Sequence, residues 1–130
     1  MRITTWNVRG LGGGQWKRKR GRLRQEMHKY VTKGQVDFLL LQEHRLSKAK
    51  IENYGSTISG DCVHFWSPGY GAEENAGGVC IVCGEIWKEK VLDAKIIIQG
   101  TAQFIIMENG DTRLGILNVY APDHASARAN

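Results

Sequence analysis

Three polar side chains end apolar segments of this sequence, at positions where ligand-binding and catalytic groups commonly collect. Asn7 ends the segment ITTWN, Glu43 follows DFLLLQ, and Tyr120 ends GILNVY. In α/β proteins, ligands bind at the carboxyl ends of the strands, so neighbouring strands would bring these side chains to one cleft. Such a cleft would combine a carboxylate, which attracts cations, with an amide and a phenol that form hydrogen bonds.

Each of the three residues also has a purely structural interpretation. Asn7 is of a residue type that commonly caps a loop, and Glu43 can pair with Arg45 two positions later. Tyr120 can be a core ring that keeps its hydroxyl at the surface. The order of the strands along the chain does not determine which strands are neighbours, so both interpretations stay open at this point.

The hydrophobic pattern predicts one strand, one long helix and then mostly strands, which makes the chain an α/β protein. The predicted strands cover residues 2–8, 36–42, 61–66, 78–83, 91–99, 102–108 and 112–120. The predicted helices cover residues 16–32 and 47–54, and residues 10–14 form a flexible, glycine-rich connection. The pair Asn109-Gly110 favours a type I′ hairpin turn before the last strand.

Length and composition are those of one modest globular domain. The chain has 130 residues, of which 42% are hydrophobic and 24% are charged, so it can bury a real core. Because it has no long apolar run and no signal peptide, we expect an intracellular protein that is neither secreted nor embedded in a membrane. Cys80 and Cys83 form a C-x-x-C pair, but residues three apart on a strand point to opposite faces. We therefore expect buried thiols there and no metal site.

The positive charge of the chain is concentrated in one segment. The formal net charge is +5, whereas residues 16–33 alone carry eight Lys or Arg and one Glu, which is +7. A local excess of this kind favours binding to nucleic-acid phosphates, an import signal that would place the protein in the nucleus, or simply a solvated helix face. The candidate nucleic-acid-binding residues are Arg9, Lys17, Arg18, Lys19, Arg20 and Arg22.

Four motifs resemble the endonuclease/exonuclease/phosphatase superfamily in their order and spacing. They are TWNVRGL at residues 5–11, LLQEHRL at 40–46, GGVCIV at 77–82 and LNVYAP at 117–122. The residues of these motifs are most similar to those in the endonucleases of LINE-type non-LTR retrotransposons. The resemblance implies a DNase I-like four-layer α/β sandwich, in which two sheets are flanked by helices. Residues 1–130 would form its N-terminal half, as a single truncated domain.

The resemblance also implies a role for each candidate residue. Glu43 matches the carboxylate that binds the divalent metal, Mg²⁺ or alternatively Mn²⁺, and Asn7 matches the amide that supports the metal and the phosphate. Tyr120 matches the phenol that contacts the scissile phosphate, and Asn118 would support it from the same face of the strand. His44 departs from the Thr that often follows QE in the superfamily. The implied partners are DNA and, in a full-length element, a reverse transcriptase domain.

Two further superfamily motifs do not occur in these 130 residues. The GDFN-type and SDH-type motifs supply the groups that activate water, and Asp123-His124 lies too near Tyr120 to replace them. We therefore expect a truncated phosphodiesterase domain whose ancestral activity is Mg²⁺-dependent DNA hydrolysis and which is inactive alone. We also expect one main sheet with an exposed inner face. The alternatives are a non-catalytic nucleic-acid-binding module that uses residues 16–33, and a non-functional remnant.

Overall fold

Among the residues that the structure describes, two α-helices alternate with the first three strands, and four further strands follow with one 3₁₀ helix between them. The computed structural model describes residues 1–11, 16–59 and 62–122. In these residues the strands are β1 (Ile3–Asn7), β2 (Phe38–Gln42), β3 (Val63–Ser67), β4 (Val79–Cys83), β5 (Val91–Ile98), β6 (Ala102–Asn109) and β7 (Thr112–Val119). The helices are α1 (Trp16–Met27) and α2 (Lys48–Ser59), with a π-helical turn (His28–Thr32) and a 3₁₀ helix (Glu85–Lys90). Most of the predicted connection at residues 10–14 and the pair Asp123-His124 lie outside the described residues.

The long predicted helix is present, but its last turn differs from an α-helix. Leu23, Met27 and Val31 recur four residues apart and are buried against the sheet, which is why this segment is helical and amphipathic. The α-helix ends at Met27 and continues as the π-helical turn. Gly34 stops the segment with a φ of +76°, and its N–H donates to the carbonyl oxygen of Val31 at 3.0 Å.

The first sheet has four strands in the order β1-β2-β4-β3. β1 and β2 are parallel, whereas β4 is antiparallel to both β2 and β3. The central strands β2 and β4 are buried on both faces, which explains their nearly continuous apolar sequences, FLLLQ and VCIVC. Asn7 is the register partner of Gln42, so β1 and β2 end at the same edge of the sheet.

The second sheet is an antiparallel meander of β5, β6 and β7. The hairpin between β6 and β7 is present, but its turn is not the predicted type I′ turn around Asn109-Gly110. Asn109 is still paired with Thr112, and the two-residue loop is Gly110-Asp111. The φ of Gly110 is +66°, whereas the φ of Asp111 is not positive, and this combination is typical of a type II′ turn.

Two apolar cores lie on opposite faces of the four-stranded sheet. The core beneath the helices contains Leu23, Met27, Leu39, Leu41, Ile58, Cys80 and Val82, among others. The core between the two sheets contains Phe38, Leu40, Ile81, Cys83, Ile105, Met107 and Ile116, among others. The thiols of Cys80 and Cys83 therefore point to opposite faces, as predicted. The expectation of one main sheet with an exposed inner face is wrong, because β6 and β7 cover that face.

The described residues thus form three layers, with α1 and α2 on one side and the three-stranded sheet on the other. Apolar residues at the edge and on the outer face of that second sheet remain about half exposed. They are Leu92, Ile96, Ile97, Ile98, Leu117 and Val119. No helix among the described residues is both long enough and apolar enough to span a membrane.

A buried amide joins the two sheets near the end of β7. Asn118 is 1% exposed, and its Nδ2 donates to the carbonyl oxygens of Leu41 and Cys80, both at 3.1 Å. The same nitrogen lies 3.1 Å from Oε1 of Gln103, and the Nε2 of Gln42 donates to Oδ1 of Asn118 at 2.9 Å. All polar atoms of this side chain are therefore hydrogen-bonded inside the interface between the sheets.

We expect the substitution Asn118→Ala to lower the free energy of unfolding by about 3 kcal/mol, because it leaves several buried polar groups without partners. Urea denaturation followed by fluorescence measures this loss. Asn53→Ala, at an exposed position of α2, is the control and should change stability by about 0.5 kcal/mol or less. Equal effects of the two substitutions would contradict the structural importance of Asn118.

Candidate active site

The chain segments that follow β1 and β2 run side by side beyond the ends of the strands. The N–H of Val8 donates to the carbonyl oxygen of Gln42 at 3.0 Å, and the N–H of Gly10 donates to that of Glu43 at 2.7 Å. The N–H of Leu11 donates to the carbonyl oxygen of His44 at 2.9 Å. This continued pairing holds the segment after Asn7 against the segment that carries Glu43.

Asn7, Glu43 and Tyr120 line one pocket of about 380 Å³ at this edge of the molecule. The remaining lining residues are Gln42, Val119, Ala121 and Pro122. Tyr120 enters from the end of the second sheet, where its N–H donates to the carbonyl oxygen of Thr101 at 2.8 Å. The pocket therefore lies where the ends of both sheets meet, and Asn7, Glu43 and Tyr120 share it.

Glu43 is held as an ionised carboxylate. Burial raises its pKa, but hydrogen bonds from the side chains of Arg45 and Asn7 and the charges of Arg45 and Arg9 outweigh burial, so the pKa lies below its usual value. Nη2 of Arg45 forms an ion pair with Oε1 of Glu43. Glu43 also has a left-handed φ of +62°, which is uncommon for a residue with a side chain and is often found at functional sites.

Asn7 interacts both with the turn that follows β1 and with the carboxylate of Glu43. Its Oδ1 accepts a hydrogen bond from the N–H of Arg9 at 3.0 Å, which caps the turn after β1. Its side chain also forms a hydrogen bond with Glu43 that helps to lower the pKa of that carboxyl group. Asn7 thus orients the carboxylate while it stabilises the loop.

His44 is a buried structural residue and does not line the pocket. Its Nδ1 accepts a hydrogen bond from the N–H of Leu46 at 2.9 Å, so Nε2 carries the proton and donates to the carbonyl oxygen of Ser67 at 2.9 Å. Burial lowers the pKa of His44 to about 4, although its hydrogen bonds to Ser67 and Val79 oppose the shift. A Cβ atom on Gly78 would lie 2.4 Å from Cε1 of His44, so the imidazole occupies the space beside this glycine.

The predicted site residue Asn118 lies behind the pocket and does not line it. It contacts the pocket through Gln42, whose Nε2 donates to Asn118 and which itself lines the pocket. Gln42 is absent from the site residues that the sequence predicts. Its position directly before Glu43, at the end of a buried strand, is the signal that could have identified it.

The candidate cations on α1 do not all face the site. Lys19 Nζ donates to the carbonyl oxygens of Arg9 and Gly10, both at 3.3 Å. Arg9, Lys19 and Arg22 line a second pocket of about 300 Å³ that shares Asn7 with the first. Arg20 instead lies over the ring of Tyr54, with Cζ 5.6 Å from the ring centroid.

Lys17 and Arg18 are exposed on α1 and line neither of these two pockets. Of the six candidate cations, Arg9, Lys19 and Arg22 are therefore the ones placed to contact a ligand in the second pocket.

The donor set of the first pocket fits a hard divalent cation better than zinc. In the part of the chain that the structure describes, no group of three or more His, Cys, Asp or Glu side chains is arranged to hold a metal ion. Zinc sites in proteins usually have three or four such ligands. Mg²⁺ needs only one or two carboxylates because water and substrate phosphates complete its coordination. An ionised Glu43 beside an amide and a phenol meets that requirement.

This arrangement of helices, a mixed sheet and an antiparallel sheet is the DNase I-like α/β fold, and the predicted fold class is confirmed. A solved structure with this fold is that of the AP endonuclease LMAP from Leishmania major, which superposes with a TM-score of 0.70 at 18% sequence identity. The match covers 96% of this chain and 42% of the Leishmania chain, so this chain spans less than half of that protein. No family model matches the sequence, and no curated protein matches it.

The buried His44 predicts how the stability of the protein depends on pH. Because its pKa is about 4 in the folded protein and about 6.5 in an unfolded chain, only the unfolded state binds this proton between those values. The free energy of unfolding should therefore fall as the pH is lowered from 6.5 to 4, by up to about 3 kcal/mol. Urea denaturation at a series of pH values measures this change.

His64 is the control for this measurement, because burial lowers its pKa as well and its contribution has the same sign. The substitution His44→Gln should remove most of the decrease in the free energy of unfolding between pH 6.5 and 4. The substitution His64→Gln should leave the contribution of His44 to that decrease in place. If His44→Gln and the unmodified protein lose equal stability over this pH range, the assignment to His44 is wrong.

Proposed function

We propose that this chain carries the metal-binding and phosphate-binding part of a phosphodiesterase site of the retrotransposon endonuclease type, within the endonuclease/exonuclease/phosphatase superfamily. The observation that carries this proposal is the single pocket that Asn7, Glu43 and Tyr120 line at the meeting ends of the two sheets. The DNase I-like fold and the four sequence motifs support it, since each of these residues lies in one of the motifs.

Each residue in the pocket has a defined part in this proposal. Glu43 would hold Mg²⁺, or Mn²⁺ in its place, and Asn7 would keep the carboxylate in position. Tyr120 would donate a hydrogen bond from its hydroxyl to an oxygen of the phosphodiester. A bound metal ion supplies stabilisation of the negative charge that develops on the phosphate and on the leaving oxygen.

Asn118 is assigned to positioning. Its hydrogen bonds to Leu41, Cys80 and Gln42 tie β7 to the first sheet two residues before Tyr120. The distance between the phenol from one sheet and the carboxylate from the other therefore depends on this contact. In this proposal Asn118 acts through Tyr120 and Gln42 and does not touch the substrate.

DNA is the proposed substrate. The charge of +7 in residues 16–33 suits a polyanion, and α1 presents Lys19 and Arg22 beside Arg9 next to the site. The AP endonuclease with the same fold supports a nuclease over other phosphodiesterases. A reverse transcriptase domain is the partner that a retrotransposon origin would supply.

We further propose that these 130 residues do not hydrolyse DNA when they are tested alone. They contain neither the GDFN nor the SDH motif, which in the superfamily position the attacking water. A correctly placed general base contributes roughly 10²–10⁴-fold to the rate of such a reaction. Binding of the metal and the phosphate would be retained without that contribution.

The metal-binding role of Glu43 is testable by titrating the purified chain with Mn²⁺ and recording the electron paramagnetic resonance signal of the free ion. Glu43→Gln should weaken Mn²⁺ binding by about tenfold or more, because it removes the proposed charged ligand. Glu52→Gln, at an exposed position of α2, is the matched control and should bind as the unmodified chain does. Equal Mn²⁺ affinity of the Glu43→Gln variant and the unmodified chain would overturn the site.

A plasmid-nicking assay with the same proteins tests the proposed inactivity separately. We expect no Mg²⁺-dependent nicking by the unmodified chain. Nicking that Glu43→Gln abolishes would support the site and refute the inactivity.

A second candidate function is non-catalytic binding of nucleic acid through α1. It is favoured by the exposure of Lys17, Arg18, Lys19 and Arg22 along the helix. Binding of this kind does not require Glu43 or a metal ion. The third possibility, a non-functional remnant, would show itself as a purified chain without a cooperative unfolding transition.

Binding through α1 predicts a steep dependence on salt, because each neutralised phosphate releases counterions. Fluorescence anisotropy of a labelled DNA duplex should give a log–log slope of about −0.9 for each phosphate contact. Arg18→Gln and Lys19→Gln should each reduce that slope by about one. Lys88→Gln removes an exposed lysine from the 3₁₀ helix and should leave the slope unchanged. A flat salt dependence would rule out this function.

A further inference from the structure

The ion pair between Arg45 and Glu43 occupies the carboxylate that the proposed metal ion would use. The guanidinium of Arg45 donates from Nη2 to Oε1 of Glu43. The side chain of Glu43 is only 15% exposed, whereas that of Arg45 is 47% exposed. The carboxylate therefore has little free surface, and the group that covers part of it is a cation in contact with solvent.

The local backbone is built to place the guanidinium there. Arg45 has a left-handed φ of +57°, and its N–H donates to the carbonyl oxygen of Gly77 at 2.8 Å. Gly10 provides the space, because a Cβ atom on it would lie 3.1 Å from Cδ and 3.3 Å from Nη1 of Arg45. The backbone conformation of Arg45 and the absence of a side chain at Gly10 together allow the guanidinium to lie between the segment after β1 and Glu43.

Two cations cannot share one carboxylate without mutual repulsion. A divalent ion on Glu43 would repel the guanidinium, and Arg45 is exposed enough to move away. A phosphodiester in the same pocket would offer the guanidinium a new anionic partner. The paired N–H donors of a guanidinium match two phosphate oxygens. Each cation would then have an anionic partner in both states of the site.

We propose that Arg45 is a charge gate at this site, which makes metal binding and phosphodiester binding depend on each other. In the absence of substrate Arg45 is paired with Glu43 and weakens metal binding. When the metal ion binds Glu43, Arg45 moves to a phosphate oxygen of the substrate. By linkage, each ligand then raises the affinity of the site for the other by the same factor. The gate rests on the proposed function, because it takes Glu43 as the metal ligand.

Arg9 provides a matched control within the same site. The charge of Arg9 also lowers the pKa of Glu43, as that of Arg45 does. Of the two arginines, however, only Arg45 donates a hydrogen bond to the carboxylate. Substituting either arginine by glutamine removes one positive charge near Glu43. Only the substitution at Arg45 removes the gate, so the pair separates a specific contact from a general change in the electrostatic field.

The experiment is a Mn²⁺ titration of the full 130-residue chain by electron paramagnetic resonance, with and without a saturating dinucleoside phosphodiester of thymidine. In the unmodified chain the diester should raise the Mn²⁺ affinity by about tenfold, which is within the usual range of coupling between sites. Arg45→Gln should bind Mn²⁺ more tightly than the unmodified chain when the diester is absent. The effect of the diester should then fall below about twofold, whereas Arg9→Gln should retain a clear effect.

The outcomes separate the gate from the function on which it rests. If Arg45→Gln changes neither the Mn²⁺ affinity nor the effect of the diester, while Glu43→Gln abolishes Mn²⁺ binding, the gate is wrong and the proposed function stands. If Glu43→Gln binds Mn²⁺ as the unmodified chain does, the proposed function fails and the gate fails with it. If Arg45→Gln does not fold, Arg45→Lys is the second variant, because it keeps the positive charge but loses the paired N–H donors of the guanidinium. In Arg45→Lys the diester should raise the Mn²⁺ affinity by less than the roughly tenfold effect in the unmodified chain and by more than the limit of about twofold expected without the gate.

Discussion

Parallel pairing between β1 and β2 is the constraint on which the site depends. Parallel strands end at the same edge of a sheet, and the register of Asn7 with Gln42 makes these two end at the same level. The pairing continues past both strands through the N–H groups of Val8 and Gly10. An antiparallel arrangement of the same two segments would have placed the amide and the carboxylate at opposite ends of the sheet.

Tyr120 reaches the pocket by a different route, through the contact between the two sheets. The apolar core between the sheets brings them together without specifying their relative position along the strands, because apolar packing has little directionality. Asn118 adds directional bonds to Leu41 and Cys80, and the N–H of Gly78 donates to the carbonyl oxygen of Gly100 at 2.8 Å. These polar contacts lie close to the site, so they fix the geometry where it matters for a ligand.

Much of this structure follows from patterns that are local in the sequence. The alternation and length of apolar runs located every described strand to within a few residues, and the side chains at their ends marked Asn7, Glu43 and Tyr120. The second sheet, the role of Asn118 between the sheets and the burial of His44 depend on contacts between residues distant in sequence, which periodicity does not encode. The hairpin turn was mispredicted because Asn109 is extended by its pairing with Thr112.

The contact between His44 and Gly78 has a consequence for how this sequence can change over evolutionary time. The imidazole fills the volume in which a side chain at position 78 would lie, and Gly78 has a φ of +95°, which few other residues adopt. A change at 78 alone meets both a steric and a backbone barrier, whereas a smaller residue at 44 would first open space beside it. The two positions should therefore diversify in a fixed order, with residue 44 shrinking before residue 78 acquires a side chain.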